Sequence, residues 1–197
     1  MARSFMIEVE VQRACLLAEA LIFASSEPVK SEVLIDLLQS QNLKSDIHLI
    51  IDVLREKYTH HAIELIEVAG GWQFRTKAEY AQILTKVVEK PRRLSRGAME
   101  TLAIIAYHQP CTRTEIETIR GVSLGQAILD ALLEDQLITP KGRKEIPGRP
   151  VLWGTTPAFL ESFGLEGLNS LPKREDFLLE RAATEMQQDA PADQEKG

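Results

Sequence analysis

Two stretches of this 197-residue chain, one in each half, read as the same succession of elements, and that repetition limits the fold more than any other feature. In the first half, Gln12–Ala24 carries Leu16, Leu17, Ala20, Leu21 and Ala24 at helical spacing. Glu27-Pro28 interrupts it, and Ser31–Gln39 begins a second helix whose expected core face is Val33, Leu34, Leu37 and Leu38. Ser45 stands where a cap belongs for a third helix, with Ile47, Ile50, Ile51, Leu54 and Tyr58 in one stripe. Ile63–Val68 then alternates as a strand, Gly70-Gly71 makes a turn, and Trp72–Thr76 returns as its partner. Thr76 and Glu79 have the spacing of a capping box for a further helix. Three helices followed by a two-stranded hairpin is the order of a winged-helix domain.

The second half repeats the plan. Ala98–Tyr107 turns Ala98, Leu102, Ile105 and Ala106 to one side, and Pro110 ends it as Pro28 ends its counterpart. Thr112 with Glu115 predicts a capped short helix ending near Gly121, and Ser123 with Gln126 predicts another cap for Leu124–Leu137. Ile138–Lys141 and Val151–Gly154 read as strands joined by the loop Gly142–Pro150, and Thr156 caps a last helix with Pro157 in its first position. Residues align in order across the halves: Pro28-Val29 with Pro110-Cys111, and Trp72–Thr76 with Val151–Thr155. A separation of roughly 80 residues is that of a small domain and too long for a solenoid unit. The expected fold is therefore mainly α with small β-hairpin wings, in two tandem winged-helix domains. Their expected bounds are 1–89 and 97–172, with a basic hinge at 90–96 and a polar tail at 173–197 that is expected to be disordered. Pro91 biases Lys90 away from helix, which argues against one helix running through the hinge. Phe177, Leu178 and Leu179 are the apolar exception within the tail.

The charge balance narrows the function. The net charge is -6, which gives no general attraction to phosphate and disfavours tight non-specific DNA binding by the whole molecule. Cys15 and Cys111 lie far apart in apolar or near-apolar surroundings and make no disulfide framework. Met1–Glu10 has no apolar stretch of signal-peptide length, and runs such as Leu102–Tyr107 are too short to span a bilayer. The expectation is a soluble, cytoplasmic protein without a membrane partner.

Catalytic patterns fail on their context. Gly121-Val-Ser123-Leu-Gly125 matches G-x-S-x-G, but the element before it reads as a helix where that motif needs a strand, and Ser123 has the simpler role of a cap. His60 and His61 are adjacent and diverge on any regular element. His108 and Cys111 straddle Pro110 with no second ligand pair beside them, short of the convergent set that zinc needs. Glu115, Glu117, Asp130, Glu134 and Asp135 fall on expected solvated faces. No phosphate-cradling glycine motif occurs. The sequence thus predicts no catalytic residue, no metal and no cofactor.

Binding is left. In a helix-turn-helix the second helix reads bases with Arg, Lys, Asn or Gln. Its equivalent here, Leu124–Leu137, holds Asp130, Glu134 and Asp135 and no Lys or Arg. The first-half counterpart, Ser45–Tyr58, sets Asp46, Asp52 and Glu56 against Arg55 and Lys57. A tandem winged-helix transcription regulator is the alternative that these acidic helices disfavour. Ile128, Ala131 and Leu132 are expected to face the core, leaving Leu129 and Leu133 as a second apolar stripe. That stripe suits the other domain, a sister subunit, a bound helix or simply a neighbouring helix of the chain. The wing Lys141-Gly-Arg143-Lys144-Glu-Ile-Pro-Gly-Arg149 reads as a solvated hairpin tip or as a contact for phosphate or an acidic segment. The candidate partner-binding residues are Leu129, Leu133, Arg143, Lys144 and Arg149.

The second half also resembles a known family. Leu94-Ser-Arg-Gly-Ala-Met-Glu-Thr-Leu-Ala-Ile-Ile-Ala-Tyr-His-Gln-Pro110, Thr112-Arg-Thr-Glu-Ile-Glu117, Pro147-Gly-Arg-Pro150, Trp153-Gly-Thr-Thr-Pro-Ala-Phe-Leu160 and Phe163-Gly-Leu165 are similar to segregation and condensation protein B. Gly70-Gly-Trp-Gln-Phe-Arg-Thr76 fits the same family. The resemblance implies a tandem winged-helix homodimer, joined chiefly through its first domain. It implies binding to the middle region of the kleisin, segregation and condensation protein A, which bridges the head ATPases of a structural-maintenance-of-chromosomes dimer. ATP hydrolysis then belongs to those heads, DNA association is indirect, and the protein sits on the nucleoid. Gly97 departs from the helix former expected at that position, and the expected effect is a looser start to its helix.

Overall fold

A computed structural model describes residues 2–43, 46–84 and 94–173, with side chains from residue 9 onward. Ser45, the hinge residues 90–93 and the apolar triplet at 177–179 lie outside the described residues. The first part comprises α1 (Ala2–Ala24), α2 (Ser31–Ser40), α3 (Ile47–Tyr58), β1 (Ile63–Val68), β2 (Gly71–Thr76) and α4 (Ala78–Leu84). The second comprises α5 (Arg96–His108), β3 (Cys111–Thr112), α6 (Arg113–Arg120), α7 (Gln126–Glu134), β4 (Ile138–Arg143), β5 (Val151–Thr155), α8 (Pro157–Phe163) and a 3₁₀ turn at Leu168–Ser170.

Each part has its own core. Ala14, Ala18 and Ile22 on α1 pack with Leu34 and Leu38 on α2, Ile50, Ile51 and Leu54 on α3, and Leu65 and Trp72 on the hairpin. The α3 stripe is as the periodicity predicts, with Asp46 as its cap, accepting a hydrogen bond from His48 N–H at 3.0 Å. Val33 differs: it is half-exposed, because α2 presents only its Leu34–Leu38 edge to the core. β1 and β2 pair antiparallel from Ile63↔Thr76 to Val68↔Gly71, so the turn is Ala69-Gly70, one residue earlier than the glycine pair suggests. Both turn residues have positive φ, 52° and 71°, as a two-residue hairpin of this twist requires. Thr76 closes the strand, and α4 starts at Ala78, so the capping position falls on Lys77.

Gly71 is required for a different reason. A Cβ there would stand 2.9 Å from the Pro28 carbonyl carbon and 3.0 Å from its oxygen, which is backbone and cannot swing aside. The close approach lets Val29 and Trp72 exchange backbone hydrogen bonds of 2.9 and 2.8 Å. We expect Gly71→Ala to destabilise the first domain by about 1–3 kcal/mol, the usual cost of overpacking, read from denaturant unfolding.

In the second part, Ala98, Leu102, Ile105 and Ala106 are buried as the stripe predicts, against Ile116, Leu124, Leu129, Leu132 and Phe159. The Thr112–Glu115 capping box is present in both directions, and Gly121 ends α6 with φ 72°. Thr156 caps α8 by accepting from Phe159 N–H, with Pro157 in the first turn. The sheet order is β3-β5-β4, antiparallel throughout. Strand β3 pairs Cys111 with Trp153, the counterpart of the Val29–Trp72 bridge in the first part. β4 runs on to Arg143 past an irregularity between Pro140 and Gly142, so the wing is longer in strand and shorter in loop than the sequence suggests.

One expected element is shorter. Helix α7 begins at Gln126, capped at Gly125 without a side-chain bond, and Ser123 is exposed outside it. The carboxylate of Glu117 holds the turn that leads into the helix, accepting from Leu124 N–H at 2.9 Å. Arg113 then donates to the Leu124 carbonyl. Gly97 does not open its helix. Ser95 caps α5 at Ala98 N–H, and a Cβ at Gly97 would meet Ile128 Cδ1 at 3.2 Å and Arg120 Nη2 at 3.4 Å. The missing side chain makes room for Ile128, with the Arg120 guanidinium beside it, whose side chain is only 9 % exposed and reaches Glu100 at 3.5 Å.

Candidate partner-binding surfaces

The second helix of each helix-turn-helix, the third of its unit, is where a DNA reader would carry its base contacts. On α7 the exposed residues are Gln126, Ala127, Asp130 and Glu134, and none is basic. On α3 the exposed set includes Leu49 and Val53, apolar and one turn apart. Neither helix presents the cationic face that phosphate requires.

Beside α7 lies an apolar groove of about 320 Å³, floored by Leu94, Ala98, Ala127, Ile128 and Ala131. Glu134 and Asp135 close one end of it. The stripe assigned to partners therefore needs correction. Leu129 is 3 % exposed and belongs to the core of its own domain, and Leu133 is half-buried against that core. Ile128 and Ala131, which the sequence placed inward, are half-buried and also line the groove, and Ile128 packs against the core as expected. The two stripes lie one residue apart on the helix and are equally apolar, so periodicity alone cannot choose between them. A second apolar groove, lined by Met99, Ala103, Tyr107 and Phe163, runs between α5 and α8. It has no counterpart in the sequence reading.

The wing cations divide. Arg143 and Arg149 are exposed, with Arg143 Nη1 donating to the Arg149 carbonyl at 3.1 Å. Lys144 is turned inward and pairs with Glu115 at 2.5 Å, which ties the wing to the capping box of α6. Lys144 and the Thr112 N–H and hydroxyl hold the Glu115 carboxyl down to about 2. The folded state thus binds its proton more weakly than the unfolded chain does, and the contribution is complete above the ordinary value of 4.5. It is lost as pH falls from 4.5 through about 2. We expect the second domain to lose stability across that window, and Glu115→Gln to make the loss shallower in denaturant melts at stepped pH. The slope does not vanish, because Glu117, held low by Leu124 N–H and by Arg113, titrates in the same direction.

The four histidines, His48, His60, His61 and His108, are all exposed, and no three His, Cys, Asp or Glu gather among the described residues. Cys15 and Cys111 are free and buried in separate cores, and burial raises both thiols above their ordinary value. Among the described residues no helix is long and apolar enough to cross a membrane.

On the first part, α1 exposes a stripe of its own. Val9, Leu16 and Phe23 recur every seven residues along one face, and Phe23 is 78 % exposed. A large aromatic left this bare on a small domain marks an association surface.

Residues 17–174 match the family model of the segregation and condensation complex subunit ScpB. The chain belongs to this family. The segregation and condensation protein B homolog of Coxiella burnetii is 39% identical over 166 residues, covering 83% of this chain and 79% of that one. The segregation and condensation protein B of Desulforamulus reducens is 42% identical over 164 residues, covering 82% and 90%. Among solved structures, ScpB from Mycobacterium tuberculosis is similar at 28% identity over 79% of this chain and 97% of that chain, with a TM-score of 0.36. Membership in the ScpB family makes chromosome segregation and condensation the setting in which these surfaces work.

Proposed function

We propose that this chain is a non-enzymatic scaffold of a condensin-like complex. It forms a homodimer through α1 and binds the kleisin, segregation and condensation protein A. Through that subunit it joins a structural-maintenance-of-chromosomes ATPase on the nucleoid, in the cytoplasm. The observation that carries the reading is α7: an acidic helix stands in the DNA-reading position, beside an apolar groove. Phosphate is repelled there, while an amphipathic helix gains apolar contact along Ile128 and Ala131 and a cationic contact at Glu134 and Asp135. Leu133 supports the groove from the core side, and Arg143 and Arg149 suit an acidic stretch of the same partner or passing phosphate. Lys144 is committed to Glu115 and has a smaller part. A dimer presents each surface twice, so an extended kleisin segment accumulates affinity from modest contacts.

The test is a pair of titrations at one physiological salt concentration, with a labelled kleisin middle segment and a labelled DNA duplex. The scaffold reading requires the kleisin segment to bind at least about 100-fold more tightly than the duplex, a difference of about 2.7 kcal/mol. The reverse order would favour the transcription-regulator reading, with the Arg143–Arg149 wing as the first place to look.

A further inference from the structure

The two parts of the chain are hydrogen-bonded to one another at the tip of the first hairpin. Ala69 N–H donates to the Leu165 carbonyl at 2.9 Å, and Gly70 N–H donates to the Glu166 carbonyl at 3.1 Å. On the same hairpin, Arg75 donates through Nη2 to the Glu161 carbonyl, in the last turn of α8. Its Nε donates to Gln73 at 3.1 Å, which aims the guanidinium. The chemistry is complementary on both sides. A turn whose two residues have positive φ points its N–H groups away from the ladder, as an anion-seeking concavity. Glu161 lies in the last turn of α8, where its carbonyl also accepts from Gly164 N–H at 3.3 Å, and Leu165 and Glu166 follow the Gly164 cap, so all three carbonyls stand at the negative pole of the helix dipole. Gly164 ends α8 at φ 64°, which a glycine adopts without strain, and Arg75 Nη1 lies beside it.

We infer that the tip of the first wing is an interaction surface whose partner is the end of α8 in the chain's own second domain, and that this clasp sets the angle between the two domains. It is made of hydrogen bonds and one cation, so it can open and reclose without exposing a core. The inference stands apart from kleisin binding and holds or fails without it.

Residue-resolved amide exchange and carbonyl chemical shifts on the full-length protein test it. In the wild type, Ala69 and Gly70 are expected to exchange ~10-fold slower than in Arg75→Gln, although a free hairpin turn leaves both open to water. The same substitution is expected to shift the carbonyl carbons of Glu161, Leu165 and Glu166. Arg75 acting only within its strand, where it holds Gln73, would move hairpin resonances and leave those of the second domain in place. Equal exchange in the two proteins, or carbonyl shifts confined to the first domain, would overturn the clasp. Protection that disappears on dilution would overturn it as well, since the contact would then join two copies.

Discussion

Leu129→Asp is expected to unfold the second domain, whereas Ile128→Asp, one residue earlier, is expected to leave it folded and unable to hold its partner. Leu129 is 3 % exposed and belongs to the same apolar cluster as Leu102, Leu132 and Phe159. Burying an unpaired charge there costs upward of about 4 kcal/mol, a large share of the 5–15 kcal/mol that holds a small domain together. Ile128 is half-buried, packed on the edge of the core while also lining the groove, and an aspartate there can turn to water while removing the apolar contact and adding a like charge near Glu134 and Asp135. Circular dichroism and thermal unfolding separate the two outcomes on stability. Kleisin affinity is expected to fall at least tenfold, about 1.4 kcal/mol, for the folded Ile128 variant. A folded Leu129→Asp protein would mean that α7 can rotate, and the assignment of faces would be wrong.

Phe23→Asp is expected to convert the proposed dimer to a monomer. Interface energy concentrates in a few well-packed anchors, and an exposed aromatic flanked by Leu16 on the same helix stripe is the strongest such anchor on the first domain. Losing one costs about 2 kcal/mol or more, and a charge facing its own copy across a two-fold axis adds repulsion. Light scattering at micromolar concentration should move from twice 22.1 kDa toward 22.1 kDa, with the helical signal unchanged. A variant that remains dimeric would remove α1 from the interface and turn attention to Leu49 and Val53 on α3.

Local signals carried most of the fold. The Thr112–Glu115 box, Thr156-Pro157, the α3 stripe and both hairpins lie within a few residues of what they control, and each is legible as a pattern. The misreadings share a cause. Ser123 with Gln126 has the spacing of a capping pattern, but the turn before α7 is fixed by Glu117 from the preceding helix, and α7 begins only after Gly125. The phase of α7 was undetermined because Ile128, Leu129, Ala131, Leu132 and Leu133 leave no polar residue to mark the outside until Asp130 and Glu134 are weighed against the groove. Lys144 looked like its neighbours Arg143 and Arg149 until Glu115, far back in the chain, claimed it. Contacts between domains leave no periodic trace at all, and Arg75 at the Glu161 carbonyl is of that kind.

The most direct measurement is size-exclusion chromatography with light scattering, on the protein alone and mixed with the kleisin, in the absence of DNA and ATP. The account predicts a dimer that shifts to a stable, stoichiometric kleisin complex. A monomer that elutes unchanged beside the kleisin would contradict it.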